Sequence, residues 1–354
     1  IFLESDSDSF GAENLTLTTG TLTAGTVTLT SNTGEVDIDA NPDNTDGGIT
    51  FGPSAGITLD ADLTANGPID ASVVTGDITL GTAARTINST NADVTLGGAI
   101  VGAQNLILSA GTGVISLQTV GGATDPTSVN ITAASQLILN SDIESSGAVT
   151  LDNADSTTLT DDLTITGAGV QLGDVSGPHD LILDGTNAAV DVKSGNIGSL
   201  TVRDASTVTF TFAEPFSTTG NVTVSDDITG TVAVSAVLAA GGDLNLTSAG
   251  DVTVSAAVSA AGATTLDSTA GTLDIDANVG GGSIALGGAT KITLADFHIH
   301  ATSGDITVSD LLVLNGGAGA DATFTSDGGD ITFTSAVDAA AADRESIIVN
   351  ALGG

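Results

Sequence analysis

Asp243-Leu-Asn-Leu-Thr-Ser-Ala-Gly-Asp251-Val-Thr-Val-Ser-Ala-Ala-Val258 and, further along, Asp321-Ala-Thr-Phe-Thr-Ser-Asp-Gly-Gly-Asp330-Ile-Thr-Phe-Thr-Ser-Ala-Val337 carry the same order of features. Each runs strand, Gly/Asp corner, strand, small-residue corner and one more apolar residue, with a single residue inserted at the first corner of the second stretch. Within the strands, Leu244/Leu246, Val252/Val254 and Ile331/Phe333 alternate with Asn and Thr, the period of a strand with one face buried. The corners lack the Asn-Gly turn that closes a hairpin, and strands of four or five residues are too short to stand as hairpins. Coiling satisfies them: each strand pairs in parallel with its equivalent one turn away, and like side chains stack into ladders.

The pattern extends outward in both directions. Similar phrases run through Asn105–Val120, Gln136–Leu151 and Asp180–Val192, and the strand-turn-apolar beat recurs from Leu59/Leu63 to Phe333/Val337. Gly220, Gly242 and Gly262 lie 22 and 20 apart, the length of one coil. The sequence therefore predicts an all-β chain, a parallel (right-handed) β-helix or β-solenoid with roughly 20 residues per coil, about 18 coils and a rod of order 85 Å. Residues 11–354 read as one continuous solenoid, and 1–10, with its Glu-Ser-Asp-Ser-Asp-Ser run, as an atypical arm or cap. Helices are nearly absent from this reading; only Val337–Arg344, with its Ala run, could form a turn or two.

Composition narrows the function classes. The chain has no Cys, Met, Trp or Tyr, which removes disulfides, thiolate metal sites and tyrosine chemistry. With 43 acidic residues against 5 Lys and Arg, net charge −38, it offers no basic surface for nucleic acid or anionic membrane. No stretch has the roughly 18 uninterrupted apolar residues of a membrane span. Of the acidic residues 37 are Asp, a turn former, so the acidity reads as many corners plus a hydrated surface suited to a salty or calcium-containing exterior. A chain that starts at Ile1 and contains no Met reads as a processed chain or an internal piece of a longer one.

The phrases Gly-Asp-Leu-Asn-Leu-Thr-Ser-Ala-Gly-Asp-Val-Thr-Val-Ser (242–255), Gly-Asp-Ile-Thr-Leu (76–80) and Gly-Asp-Ile-Thr-Phe-Thr-Ser (329–335) resemble the degenerate repeats of filamentous haemagglutinin-like adhesins and related β-strand-repeat secreted bacterial surface proteins. That resemblance implies a right-handed parallel β-helix, export to the cell surface and a role as an extended adhesive or structural fibre.

Several residues invite chemistry. His298 and His300 flank Ile299, so both imidazoles should project from the outer face of one strand, where they could share a transition metal. Gly316-Gly-Ala-Gly-Ala-Asp321 fits the first six positions of the calcium nonapeptide, which would make Asp321 a Ca²⁺ ligand, although a single copy also reads as a plain glycine corner. Asn41–Gly48 and Asp6–Asp8 cluster further oxygen ligands. Outward Thr pairs such as Thr332/Thr334 resemble ice-binding arrays but are also what strand propensity favours. A polysaccharide-active β-helix enzyme would combine carboxylates with cations and stacking Tyr or Trp; here the rings are missing and the cations scattered, so the reading is not an enzyme. The favoured reading is an extracellular structural or adhesive repeat protein that assembles head to tail. Ile1, Phe2 and Leu3 of one copy would complete the unpaired edge at Ile347, Ile348 and Val349 of another, with cell-surface or matrix glycans as a further partner class. The alternative is a calcium-binding passenger segment of a giant monomeric adhesin.

Overall fold

The structure, a computed structural model, describes residues 2–5, 15–17, 21–22, 26–38, 43–44, 47–210, 215–225, 227–295, 297–315, 321–339 and 346–353. Among these, every regular element is a strand. The strands pair in parallel between successive coils, forming a β-solenoid of about 14 turns with roughly 21 residues each. The coil length is close to the roughly 20 residues expected, and some coils are longer. The register steps Ile69↔Val94, Ile299↔Phe324 and Phe324↔Val349 each advance 25 residues. Where the Ala run could have formed a helical turn, Val337–Ala339 is a strand paired with Leu312–Leu314, and residues 340–345 lie outside the described set. Ladder pairing on a face already fixed by alternation outweighs the local propensity of Ala for helix.

The chain divides into two compact units, Ile1–Gly177 and Pro178–Gly354. In the first, inward residues stack as Ile49↔Ile69↔Val94↔Ile115↔Leu137↔Thr157 and as Ile78↔Ile100↔Val120↔Ile143↔Ile165. Phe2–Ser5 pairs in parallel with Thr28–Ser31, so this part of the expected arm is a ladder strand. Arg85 takes an inward position opposite Leu106, where its Nε donates to Leu59 O at 2.6 Å and Nη1 to Ala84 O at 3.0 Å. The carbonyls take up the donors of a buried guanidinium that would otherwise be costly there.

The second unit has three strands per coil. One face stacks Phe216↔Leu238↔Val258↔Val279↔Ile299↔Phe324↔Val349. A second stacks Leu200↔Val222↔Leu244↔Thr264↔Ile284↔Ile306↔Ile331, and the third Val208↔Val232↔Val252↔Leu273↔Ile292↔Leu312↔Val337. Leu200, Val222, Val252, Ile299 and Leu312 are wholly buried. Burying each such side chain contributes about 1.5–3 kcal/mol relative to leaving it exposed. Where Thr264 interrupts the aliphatic column, its hydroxyl donates to Gly280 O at 2.7 Å, satisfying the buried polar group. Alternation thus fixes which residues face the core, and parallel stacking turns the outward residues into columns.

Candidate functional site

Three structural features bear on function: the corners, a histidine pair on the outer face, and the last ladder edge. At the corners, carboxylates reach along the stacking direction. Asn221 Oδ1 accepts the Asp243 N–H at 2.8 Å, and Asp243 Oδ1 in turn accepts the Ala263 N–H at 2.8 Å. Asp251 accepts from Thr272 N and Asp305 from Asp330 N, both at 2.8 Å; in the first unit Asp62, Asp93 and Asp142 do the same for Thr86, Val114 and Thr164. The glycine before each second-unit acceptor strand has a steric reason. A Cβ on Gly242 would lie 2.1 Å from Asn221 Oδ1, on Gly262 2.1 Å from Asp243 Oδ1, and on Gly329 2.4 Å from Asp305 Oδ1. Gly-Asp is therefore an interlock. At Gly242-Asp243 the glycine admits the side-chain oxygen of the coil below, and the Asp passes the same contact to the coil above.

Buried serines complete the corners. Ser268 Oγ donates to Gly250 O at 2.6 Å and accepts from Gly271 N at 3.0 Å; Ser326 repeats this with Gly304 O and Gly329 N, both at 2.8 Å. Ser248 bridges Gly230 O and Gly250 N in the same way. Polar backbone at each turn is thereby satisfied without a turn of regular type.

Strand His298–Ala301 places Ile299 wholly inside and both imidazoles on the outer face, as the alternation predicts. The rings stack with centroids 5.2 Å apart and planes within 7°. Both lean toward the next coil: His298 Nε2 lies 2.9 Å from Thr325 Oγ1, and His300 Nε2 3.0 Å from Asp327 Oδ2. The strand is held from the coil below by Asn278 Oδ1, which accepts the His298 N–H at 3.0 Å. Partial burial lowers the His298 pKa, and the neighbouring His300 pushes it the same way, while Asp327 opposes them. Elsewhere in the unit, burial and then Asp310 raise Asp267, and burial and then Asp274 raise Asp276. A polar groove of about 300 Å³ includes Asp251, Asp274, Lys291 and Thr293. Its two carboxylates are already engaged, Asp251 with Thr272 N and Asp274 with the Thr293 hydroxyl.

Asp321 is not gathered with the histidines; among the described residues no three His, Cys, Asp or Glu side chains converge on a common metal position. It starts strand Asp321–Ser326 and accepts the Ser346 hydroxyl of the next coil, another contact along the stack. Residues 316–320, 6–8 and, in the loop at 41–48, residues 41, 42, 45 and 46 lie outside the described set, as does Ile1. Phe2 and Leu3 pair through their backbone with Thr28 and Leu29.

At the last described coil, Ser346–Ala351 pairs on one side with Asp321–Ser326. The register puts Ile347 opposite buried Ala322 and Val349 opposite buried Phe324, so these two face inward and Ile348 outward. Val349 is nevertheless 47% exposed and Leu352 70%. Asp327 and Asn278, which with the outward Thr325 frame the histidines, were not marked by the sequence reading; only the coil-to-coil register brings them within reach. The Gly-Asp interlocks carried a signal, Gly-Asp or Gly-Asn recurring about one coil apart. In comparisons with known proteins, no family model, curated protein or solved structure matches this chain.

Proposed function

We propose that this chain is a structural or adhesive element of an extracellular fibre or matrix, assembling head to tail through its ladder edges. The observation that carries the reading is the parallel ladder itself, in which each strand pairs with its equivalent one coil away. Among the described residues, strand Ser346–Ala351 pairs with Asp321–Ser326, and the inward Val337 and Val349 are 42% and 47% exposed. Such an edge offers backbone donors and acceptors together with an apolar layer, the combination that strand addition uses. The backbone of Phe2–Ser5, paired on one side with Thr28–Ser31, is the complementary edge in another copy. Repeating that contact gives an open filament.

The repeat phrasing that resembles filamentous haemagglutinin-like adhesins supports the same role, and net charge −38 suits a hydrated exterior. Load would be carried by parallel backbone ladders, and the role is mechanical rather than catalytic. Glycans of the cell surface or matrix are the partner class for an outer face rich in Thr, Ser, Asn and Asp, and calcium the ion for its carboxylates. Sedimentation and negative-stain microscopy of the purified chain test the assembly. End-to-end polymers that dissolve in Ile348→Pro are expected. Monomers at all concentrations, or polymers unchanged by that substitution, would overturn head-to-tail pairing.

A further inference from the structure

We infer that the groove over strands Val252–Val254, Thr272–Ile275 and Lys291–Leu294 is a binding subsite for one neutral sugar ring of a glycan. The inference rests on the glycan partner class proposed above and gives it a place on the chain. Register and alternation build the groove. Thr253↔Asp274↔Thr293 and Thr272↔Lys291 are ladder pairs, and Asp251, Thr272 and Lys291 precede Thr253, Asp274 and Thr293 by two residues. The six side chains therefore form an array on the outer side, with steps of about 4.8 Å between coils and about 6.5–7 Å along each strand. Thr293 is only 7% exposed and forms the floor, and Asn315, just past strand Leu312–Leu314 of the following coil, completes the lining of a space of about 300 Å³.

Lys291 sets this groove apart. Arg85 donates to carbonyls inside the solenoid, Arg203 pairs with Asp184 at 3.1 Å, and Lys193 has partners of its own. The Lys291 ammonium makes no ion pair or hydrogen bond with another described residue, although two carboxylates line the same space. Each carboxylate is held instead by a neutral donor of the coil above, Asp251 by the Thr272 N–H and Asp274 by the Thr293 hydroxyl. An ionised carboxyl group offers about four lone-pair sites, so both keep acceptors to spare. The groove thus presents ammonium and amide donors from Lys291 and Asn315, spare carboxylate acceptors, and threonine hydroxyls that serve as either.

That combination suits a molecule that is itself a row of hydroxyls. Each sugar hydroxyl donates and accepts at once, so the carboxylates take its proton while the ammonium and amide reach its lone pairs. An anion would meet Asp251 and Asp274, an organic cation would meet Lys291, and the mixed signs oppose a neutral guest least. The described residues that line the space include no aromatic ring, and its volume stands at the low end of small-molecule sites, which fits one polar ring rather than an apolar ligand.

Saturation-transfer-difference proton NMR on the full chain tests the site, with lactose, maltose and cellobiose as probes and with galacturonate and glycine as anionic and zwitterionic controls. Transfer to at least one of the neutral disaccharides, and little to the controls, is expected. Lys291→Met and Asn315→Ala should each weaken that binding about 10-fold, while Lys193→Met, several coils back, should leave it unchanged. Met keeps most of the length of the lysine side chain without its donors, so a role in packing alone would survive the change. No transfer to any of the three sugars at millimolar concentration would overturn this site and the glycan class together. Equal transfer in wild type and in Lys291→Met/Asn315→Ala would overturn the groove alone and leave glycans bound elsewhere on the chain. Stronger transfer to galacturonate or glycine would overturn the neutral-sugar assignment. A wild-type circular dichroism spectrum confirms that each variant is folded.

Discussion

Two coils of the second unit obey the same alternation and end in opposite states. In the coil through Val252–Val254, Val258–Ala260 and Thr264–Ser268, Val252 is wholly buried and Val258 2% exposed. In the coil through Ile331–Phe333, Val337–Ala339 and Ser346–Ala351, the equivalent Val337 and Val349 are 42% and 47% exposed. Their stacking partners one coil back, Leu312 and Phe324, are wholly buried. The lesson is that an inward residue of a solenoid is not buried by its own coil. It is buried by the layers above and below it, so each layer contributes stability to its neighbours.

The largest effect that would break this comparison is a core truncation. Leu266→Ala, in a covered coil, should lower unfolding free energy by about 2–5 kcal/mol, while Val349→Ala in the last coil should cost less than about 1 kcal/mol. Equal losses in urea denaturation would mean that the last layer is covered in solution.

The corner interlocks give a sharper and somewhat smaller test. Ser268→Ala strands Gly250 O and Gly271 N and should cost about 1–3 kcal/mol. Asp243→Ala removes the acceptor of Ala263 N–H and should cost about 1 kcal/mol, whereas Asp330→Ala, at the same motif position in the last coil, should stay within about 0.5 kcal/mol of wild type. Gly262→Ala should be more damaging with Asp243 present than in Asp243→Ala, because its Cβ would strike that carboxylate. A double-mutant cycle should return about 0.5–2 kcal/mol of coupling. Additive effects would dismiss the interlock.

The smallest effect is electrostatic. His298 has a folded pKa below its unfolded value of about 6.5, so the unfolded chain binds the proton more readily. Stability should therefore fall as pH drops below about 6.5 and level off once pH passes below the folded value. The partial exposure of the ring keeps the change small. The melting midpoint of wild type minus that of His298→Asn, compared at about pH 7.5 and pH 5.5, should be lower at the acid end. A difference that grows on acidification would reverse the assigned direction.

The alternation of Val, Leu and Ile with Thr and Asn was enough to read parallel coils, inward columns and the outward placement of His298 and His300. Period two leaves a short strand one way to bury its apolar side. The length of individual coils was less legible, because the corners absorb insertions without disturbing the alternation, as the 25-residue steps at Ile299, Phe324 and Val349 illustrate. The strand at Val337–Ala339 was obscured by an Ala run whose local preference is helical. Reading Asp as a turn former accounted for its place at corners but not for its work there, since the partner N–H belongs to the next coil.

The sequence by itself thus determined the repeating element, its buried side and the polar, acidic exterior, because these depend on neighbours a few residues apart. Only the tertiary structure decided which side-chain oxygen passes beneath which glycine, and that Thr325 and Asp327 meet the two imidazoles. Those contacts join residues a whole coil apart. Their register depends on the length of each intervening corner, which local propensity does not fix.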